Sequence, residues 1–165
     1  MADLGTISAN LMPYSYDPAA WQNFYLMMGT ANAAITGLVF VALSIHLREV
    51  LDHPILKPRA VIALVVLTTQ IVISAIVLTP QSRELMGVEI LLLNGIFLAL
   101  NLRNRVATSL NQAALVSLLI RLAYVYASVS LIVGMGGGFY VLGLVLVLTL
   151  ARTMASCWAL LTALA

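Results

Sequence analysis

The sequence predicts an all-α integral membrane bundle of five transmembrane helices, and three observations carry that prediction. Hydrophobic residues make up 62% of the 165-residue chain, charged residues only 8%, and the mean hydropathy is +1.06. Soluble domains hold about 45–50% apolar and about 25% charged residues. The apolar residues fall into five runs, each close to the roughly 20 residues that a helix needs to cross a ~30 Å hydrocarbon core. None of the runs alternates as a barrel strand would, and a helix satisfies every backbone N–H and C=O within one segment.

Residues 1–20, MADLGTISANLMPYSYDPAA, read as an extracytoplasmic tail. They lack the basic start and compact apolar stretch of a signal peptide, so no cleavable signal is expected. Residues 21–165 read as a single bundle, with spans near 21–47, 59–79, 85–102, 114–134 and 139–163. The breaks between spans are chemical. LREVLDHPILKPRA carries two prolines and most of the loop charge, TPQSRE has Pro80 followed by polar residues, and RNRVATSLNQ is mostly polar. GMGGG at 134–138 is a glycine turn joining the last two spans. Such short connections leave no extramembrane domain.

Basic residues set the expected orientation, because Lys and Arg collect in cytoplasmic loops. Arg48, Lys57, Arg59, Arg103 and Arg105 lie in the first and third loops, while the opposite side holds Arg83 and an N-terminal tail with Asp3 and Asp17 but no Lys or Arg. The N-terminus is therefore predicted outside and the C-terminus cytoplasmic. Tyr14, Tyr16, Trp21 and Tyr25 cluster where the first span meets the outer interface, and Phe139 and Tyr140 share that level.

Two arginines sit inside spans. On the fourth span Ser117, Arg121, Tyr124 and Ser128 fall within about 60° of one another, and on the fifth Thr149, Arg152 and Ser156 stack similarly. Counted at ~1.5 Å per residue, each arginine is rooted about 10 Å from the inner boundary. Intramembrane charges usually pair with a carboxylate. Glu89 is the one acid within a span, and about 14 Å of depth separates it from either arginine. Asn94 and Asn101 share a face of the third span and bracket the arginine level. Three readings follow: the side chains snorkel to headgroups, they bind a lipid phosphate, or they line an anion pathway. The residues assigned to ion or lipid-phosphate binding are thus Arg121, Arg152, Asn94, Asn101, Ser117, Tyr124 and Ser156.

The first span offers a second lining. Gly29, Ala33 and Gly37 form a small-residue series, with Gln22, Asn32, Thr36 and Ser44 on the same broad face. Such a face suits close helix packing and also a pore wall, so Gly29, Asn32, Ala33, Thr36, Gly37 and Ser44 form a candidate pore or oligomer face. In the second span Thr68, Thr69, Gln70 and Ser74 are expected to hydrogen-bond between helices.

Other chemistry finds little footing. GMGGG is not followed by the Lys-Ser or Lys-Thr of a phosphate loop, and neither HExxH nor GxSxG occurs. His46 and His53, with Glu49 and Asp52 between them, read as solvated loop residues rather than a metal site. Cys157, the one cysteine, reads as inert packing. Net charge +2 on scattered basic residues makes nucleic acid an unexpected partner. No enzyme, cofactor or metal is expected.

The segment WQNFYLMMGTANAAITGLVFVALSIHLREVLDHPILKPRAVIALVVLTTQIVISAIVLTPQ resembles a group of small bacterial membrane proteins. Those open with Trp-x-x-Phe, an Ala-rich stretch and a GLVFVALS-like core, then a basic loop, Arg-Ala and a Leu-Thr-Pro-Gln-like end. Some are labelled modulators of the FtsH membrane protease. The resemblance spans about residues 21–81 and weakens toward 104. It implies a multi-pass protein of the bacterial inner membrane that acts on another membrane protein, and it supplies no catalytic residues. Two functions are therefore expected. One is a homo-oligomeric channel or conduit for a small ion, anion more than cation. The alternative is a non-conducting accessory or regulatory subunit of a membrane protease or other membrane complex. Membrane lipid is a partner in both.

Overall fold

The computed structural model describes residues 16–52, 54, 56–103 and 112–162, with the backbone alone at 100–103, 112–114 and 160–161. Six helices occupy the described residues: α1 Pro18–Ile45, α2 Leu47–Asp52, α3 Leu56–Leu78, α4 Arg83–Arg103, α5 Gln112–Val133 and α6 Gly138–Thr162. Four of them, α1, α3, α5 and α6, are long and apolar enough to cross a membrane, so the chain has the make-up of a multi-pass membrane protein. The third expected span coincides with α4, which is 21 residues long but is not among those four. Arg83, Glu84 and Glu89 lie within its first two turns.

Helix starts differ from the hydropathy boundaries because caps, not apolarity, set them. α1 begins at Pro18, ahead of the expected Trp21, since the Ala19 N–H donates to Asp17 Oδ1 at 3.0 Å. Asp at the N-cap followed by Pro at the first helical position is a favoured start, because that position needs no N–H. α4 begins at Arg83 for a related reason: the Leu85 N–H donates to Ser82 Oγ at 3.3 Å. α3 starts at Leu56 and tolerates Pro58 in its first turn, where backbone N–H groups have no intrahelical acceptor anyway.

The basic connection after the first span, expected as a loop, contains the short helix α2. His46 Nδ1 lies 2.9 Å from Glu49 Oε2, and the Val50 N–H donates to the His46 carbonyl at 3.0 Å. Val50 is 4% exposed and joins an apolar cluster with Val39, Leu43, Leu56, Ala60, Ala63, Leu67 and Cys157. One buried valine fixes a segment whose charges alone read as solvated.

The chain divides into two compact units: Tyr16–Gln22 with Ile76–Val145, and Asn23–Ala75 with Leu146–Thr162 among the described residues. In the first, α4 packs against α5. A Cβ on Gly87 would stand 2.7 Å from the Ser128 carbonyl oxygen, so the glycine lets the two backbones meet. Seven residues on along α4, Asn94 Nδ2 reaches the Arg121 carbonyl, seven residues back along α5, at 3.5 Å. The pair is antiparallel in a seven-residue register. The buried residues of the first unit include Met86, Ile90, Ala127, Leu131, Phe139 and Leu142. Trp21 adds a stack on Phe139 (centroids 6.2 Å apart) and an edge contact with Tyr140 (4.6 Å).

In the second unit the apolar cluster joins α1, α2, α3 and the later part of α6. The buried residues of α1, Tyr25, Met28, Asn32, Val39 and Leu43, follow helical spacing. On α3 the buried Leu56, Ala60, Ala63, Leu67, Gln70 and Ser74 follow steps of three and four, with Ile73 buried beside them. Polar residues lie on both buried stripes.

The tail through residue 15 (including Asp3 and Tyr14), His53, Arg105 and Ser109 lie outside the described residues, as do the side chains of Asn101 and Arg103.

Candidate functional site

Arg121 sits on α5 in the first unit and is half-buried. Its Nη1 is buried and has no hydrogen-bond partner, while its carbonyl accepts Asn94 Nδ2. Asn94, which brackets the arginine level in the sequence, thus meets the Arg121 backbone, and no described residue hydrogen-bonds Nη1. On the same helix Ser117 is exposed and Tyr124 half-buried. Ser128 Oγ donates to the Tyr124 carbonyl at 2.8 Å, so this serine returns its proton to its own helix.

Arg152 lies on α6 in the second unit, half-buried, and its carbonyl accepts the Ser156 hydroxyl at 3.0 Å. The two arginines thus belong to different units. Among the described residues the ion pairs are His46–Glu49 and Arg83–Glu84, both at 2.8–2.9 Å and both outside the long apolar runs. Glu89, the acid within the third expected span, takes a hydrogen bond from Gln81 Nε2 at 2.9 Å. No group of three His, Cys, Asp or Glu side chains with the makings of a metal site occurs among the described residues.

The face expected on α1 divides in two. A Cβ on Gly29 would approach Ser74 Cβ to 3.1 Å, and Asn32 is fully buried. Ala33, Gly37 and Ser44 are exposed, and nothing lies within 4 Å of a Cβ built on Gly37. Each four-residue step turns about 40° further around the helix, so a series that starts against a neighbour ends facing outward. Thr36 Oγ1 donates to the Asn32 carbonyl at 2.6 Å and Ser44 Oγ to that of Phe40 at 2.7 Å.

Hydrogen bonds expected between helices from the second span are not those found. Thr69 Oγ1 donates to Val65 of its own helix at 2.7 Å. Gln70 and Ser74 are buried, yet both polar atoms of the Gln70 side chain and the Ser74 hydroxyl lack any partner. Asn32 donates from Nδ2 to the Met28 carbonyl at 2.7 Å, and its Oδ1 is likewise unpartnered. A buried polar atom without a hydrogen bond destabilises by about 1–3 kcal/mol. Sequence reading separated these three residues, assigning Asn32 to a pore face and the others to helix contacts. Their shared signal was the three-and-four spacing that places all of them on buried stripes.

Around the glycine turn the first unit holds a polar knot. The Gly137 N–H donates to the Tyr16 hydroxyl at 2.6 Å, Tyr16 and Ser130 hydroxyls are 3.1 Å apart, and Ser130 donates to the Met135 carbonyl. Tyr126 donates to the Gly136 carbonyl at 3.1 Å. Arg83 lies over the Tyr16 ring, 5.6 Å from its centroid. Nearby, Pro18, Gln22, Thr79, Gln81 and Met86 help line an open, shallow cavity of about 240 Å³.

Comparison with known proteins gives no matching family model, no matching curated protein and no matching solved structure.

Proposed function

We propose that this is a non-enzymatic, multi-pass protein of the bacterial inner membrane whose self-associated copies conduct a small anion. In this reading α4 is the fifth crossing, with the N-terminus outside and the C-terminus cytoplasmic. At ~1.5 Å per residue its 21 residues span about 31 Å, enough for the hydrocarbon core. The observation that carries the proposal is Arg121 Nη1, a buried cationic nitrogen with no partner. An uncompensated arginine within the bilayer is expensive, so its usual explanation is function. Guanidinium nitrogens suit oxyanions, and the Ser117 and Tyr124 positions extend a polar stripe from Arg121 along α5. Arg152 supplies a second cation of the same sign.

Purified protein in vesicles should pass chloride or nitrate, and Arg121→Gln should abolish that flux while the protein remains folded. If the wild type is silent and Arg121 instead binds anionic lipid, the accessory reading takes its place. That alternative draws on the resemblance to proteins labelled FtsH modulators and on the open outward face of α1 at Ala33 and Gly37. For topology, cysteines at Asp3 and Ser109 provide the test. An impermeant thiol reagent applied to intact cells should label position 3 alone.

A further inference from the structure

Asn32, Gln70 and Ser74 are 0%, 1% and 1% exposed, and four of their polar atoms are unpartnered: Asn32 Oδ1, Gln70 Nε2, Gln70 Oε1 and Ser74 Oγ. Nine in ten buried polar groups find a hydrogen bond, and in a low-dielectric interior an orphan is especially unfavourable. Four together call for a partner that the described residues do not supply.

The three side chains converge. α1 and α3 come closest where Gly29 faces Ser74. The same helices share the apolar cluster at their other ends, through Leu43 and Val39 on α1 and Ala60 and Ala63 on α3, so they run antiparallel. From the Gly29–Ser74 contact, α1 advances to Asn32 while α3 returns to Gln70. Both steps are about one helical turn, ~5 Å, in the same direction. Apolar residues surround the group: Met28, Leu67 and Ile73 are each at most 3% exposed.

The atoms also define what fits. Three are oxygens able to accept, and one is an amide nitrogen that donates. A metal cation would leave the amide N–H groups facing a positive charge, and an anion would face three oxygens. Either orientation of the Gln70 amide presents one donor and one acceptor, so the kinds of group it offers are the same. Water donates twice and accepts twice, and a buried water typically holds two to four such bonds.

We propose that α1 and α3 enclose an ordered-water site near the middle of their lengths, held by Asn32, Gln70 and Ser74. The bound water bridges the two helices through hydrogen bonds that the side chains do not make to each other. It fixes their register, and it places a hydrated point beside buried apolar side chains of α1 and α3. The site is independent of Arg121 and of anion conduction.

Radiolytic hydroxyl labelling tests this directly, because X-rays generate radicals from bound water beside buried side chains. The full-length protein in lipid nanodiscs, equilibrated with ¹⁸O-water, should incorporate ¹⁸O at Met28 and Ile73 despite their burial. The variant N32L/Q70M/S74A should lower that incorporation about fivefold or more, as removal of the polar partners empties the site. Gln70→Met alone keeps the side-chain length and carries the same comparison should the triple variant fail to fold. Wild-type protein without label at Met28 and Ile73, or variants labelled as fully as the wild type, would overturn the proposal.

Discussion

The Tyr16 hydroxyl stands 2.6 Å from the backbone nitrogen of Gly137, a residue 121 positions further along the chain. Because Ser130 donates its proton to the Met135 carbonyl, the Tyr16 hydroxyl donates to Ser130 and accepts from Gly137. One phenol thereby ties the residue just ahead of α1 to the turn between α5 and α6.

Tyr16→Phe removes that tie while keeping the ring beneath Arg83. It leaves the Gly137 N–H without its acceptor, and we expect a loss of about 1–3 kcal/mol. Tyr16→Leu also removes the ring and should lose a further ~0.5–1 kcal/mol. Denaturant titration in detergent micelles measures both, and a Tyr16→Phe protein as stable as wild type would contradict the assignment.

Three glycines should respond to alanine in a fixed order. At Gly87 the new Cβ would meet the Ser128 carbonyl at 2.7 Å and Ile132 Cγ1 at 2.8 Å. A backbone oxygen cannot swing aside, so α4 and α5 must separate, at about 1–3 kcal/mol for overpacking. Gly137 has φ +72° but its new Cβ touches nothing closer than 3.7 Å, leaving only the left-handed penalty of about 1–2 kcal/mol. Gly95 lies within α4 with nothing inside 4 Å, so alanine there should stabilise by about 0.5–1 kcal/mol. Thermal unfolding of the three variants checks the order.

Arg121→Gln should be at least as stable as wild type. The substitution removes a half-buried charge whose Nη1 has no partner among the described residues, and the Asn94 hydrogen bond survives because it ends on the Arg121 carbonyl. On insertion scales an arginine near the bilayer centre is unfavourable by about 2.5–3.5 kcal/mol, with less at shallower depth. Marked destabilisation in the same unfolding assay would mean that the guanidinium is paired in the folded protein.

Gly37→Ile tests the proposed self-association. Among the described residues nothing lies within 4 Å of the new Cβ, so the fold should tolerate it. A bulky branched side chain does block close approach of a second helix. Cross-linking in membranes should show fewer oligomers than wild type, and undiminished oligomers would place the contact elsewhere.

Composition and run length were enough to specify helices long and apolar enough to cross a membrane, because the bilayer constrains hydrophobicity and length so tightly. α1, α3, α5 and α6 follow the hydropathy pattern within a few residues, and their starts shifted where Asp17 or Pro58 acted locally. α4 was harder to read because Arg83, Glu84 and Glu89 sit where the helix begins. The sequence also marked Arg121 and Arg152 as anomalies, since a charge in an apolar run is visible without coordinates. Tertiary structure decided which side of a broad face was covered. Gly29 and Asn32 turned inward and Gly37 outward, although the sequence reading placed all three on one broad face. It also decided that Val50 would dock a charged connection, and that Asn94 would meet the Arg121 backbone and not its guanidinium. Hydropathy records how apolar a segment is. Which neighbour a side chain meets depends on the rotation and register of packed helices, and those are set by contacts far apart in sequence.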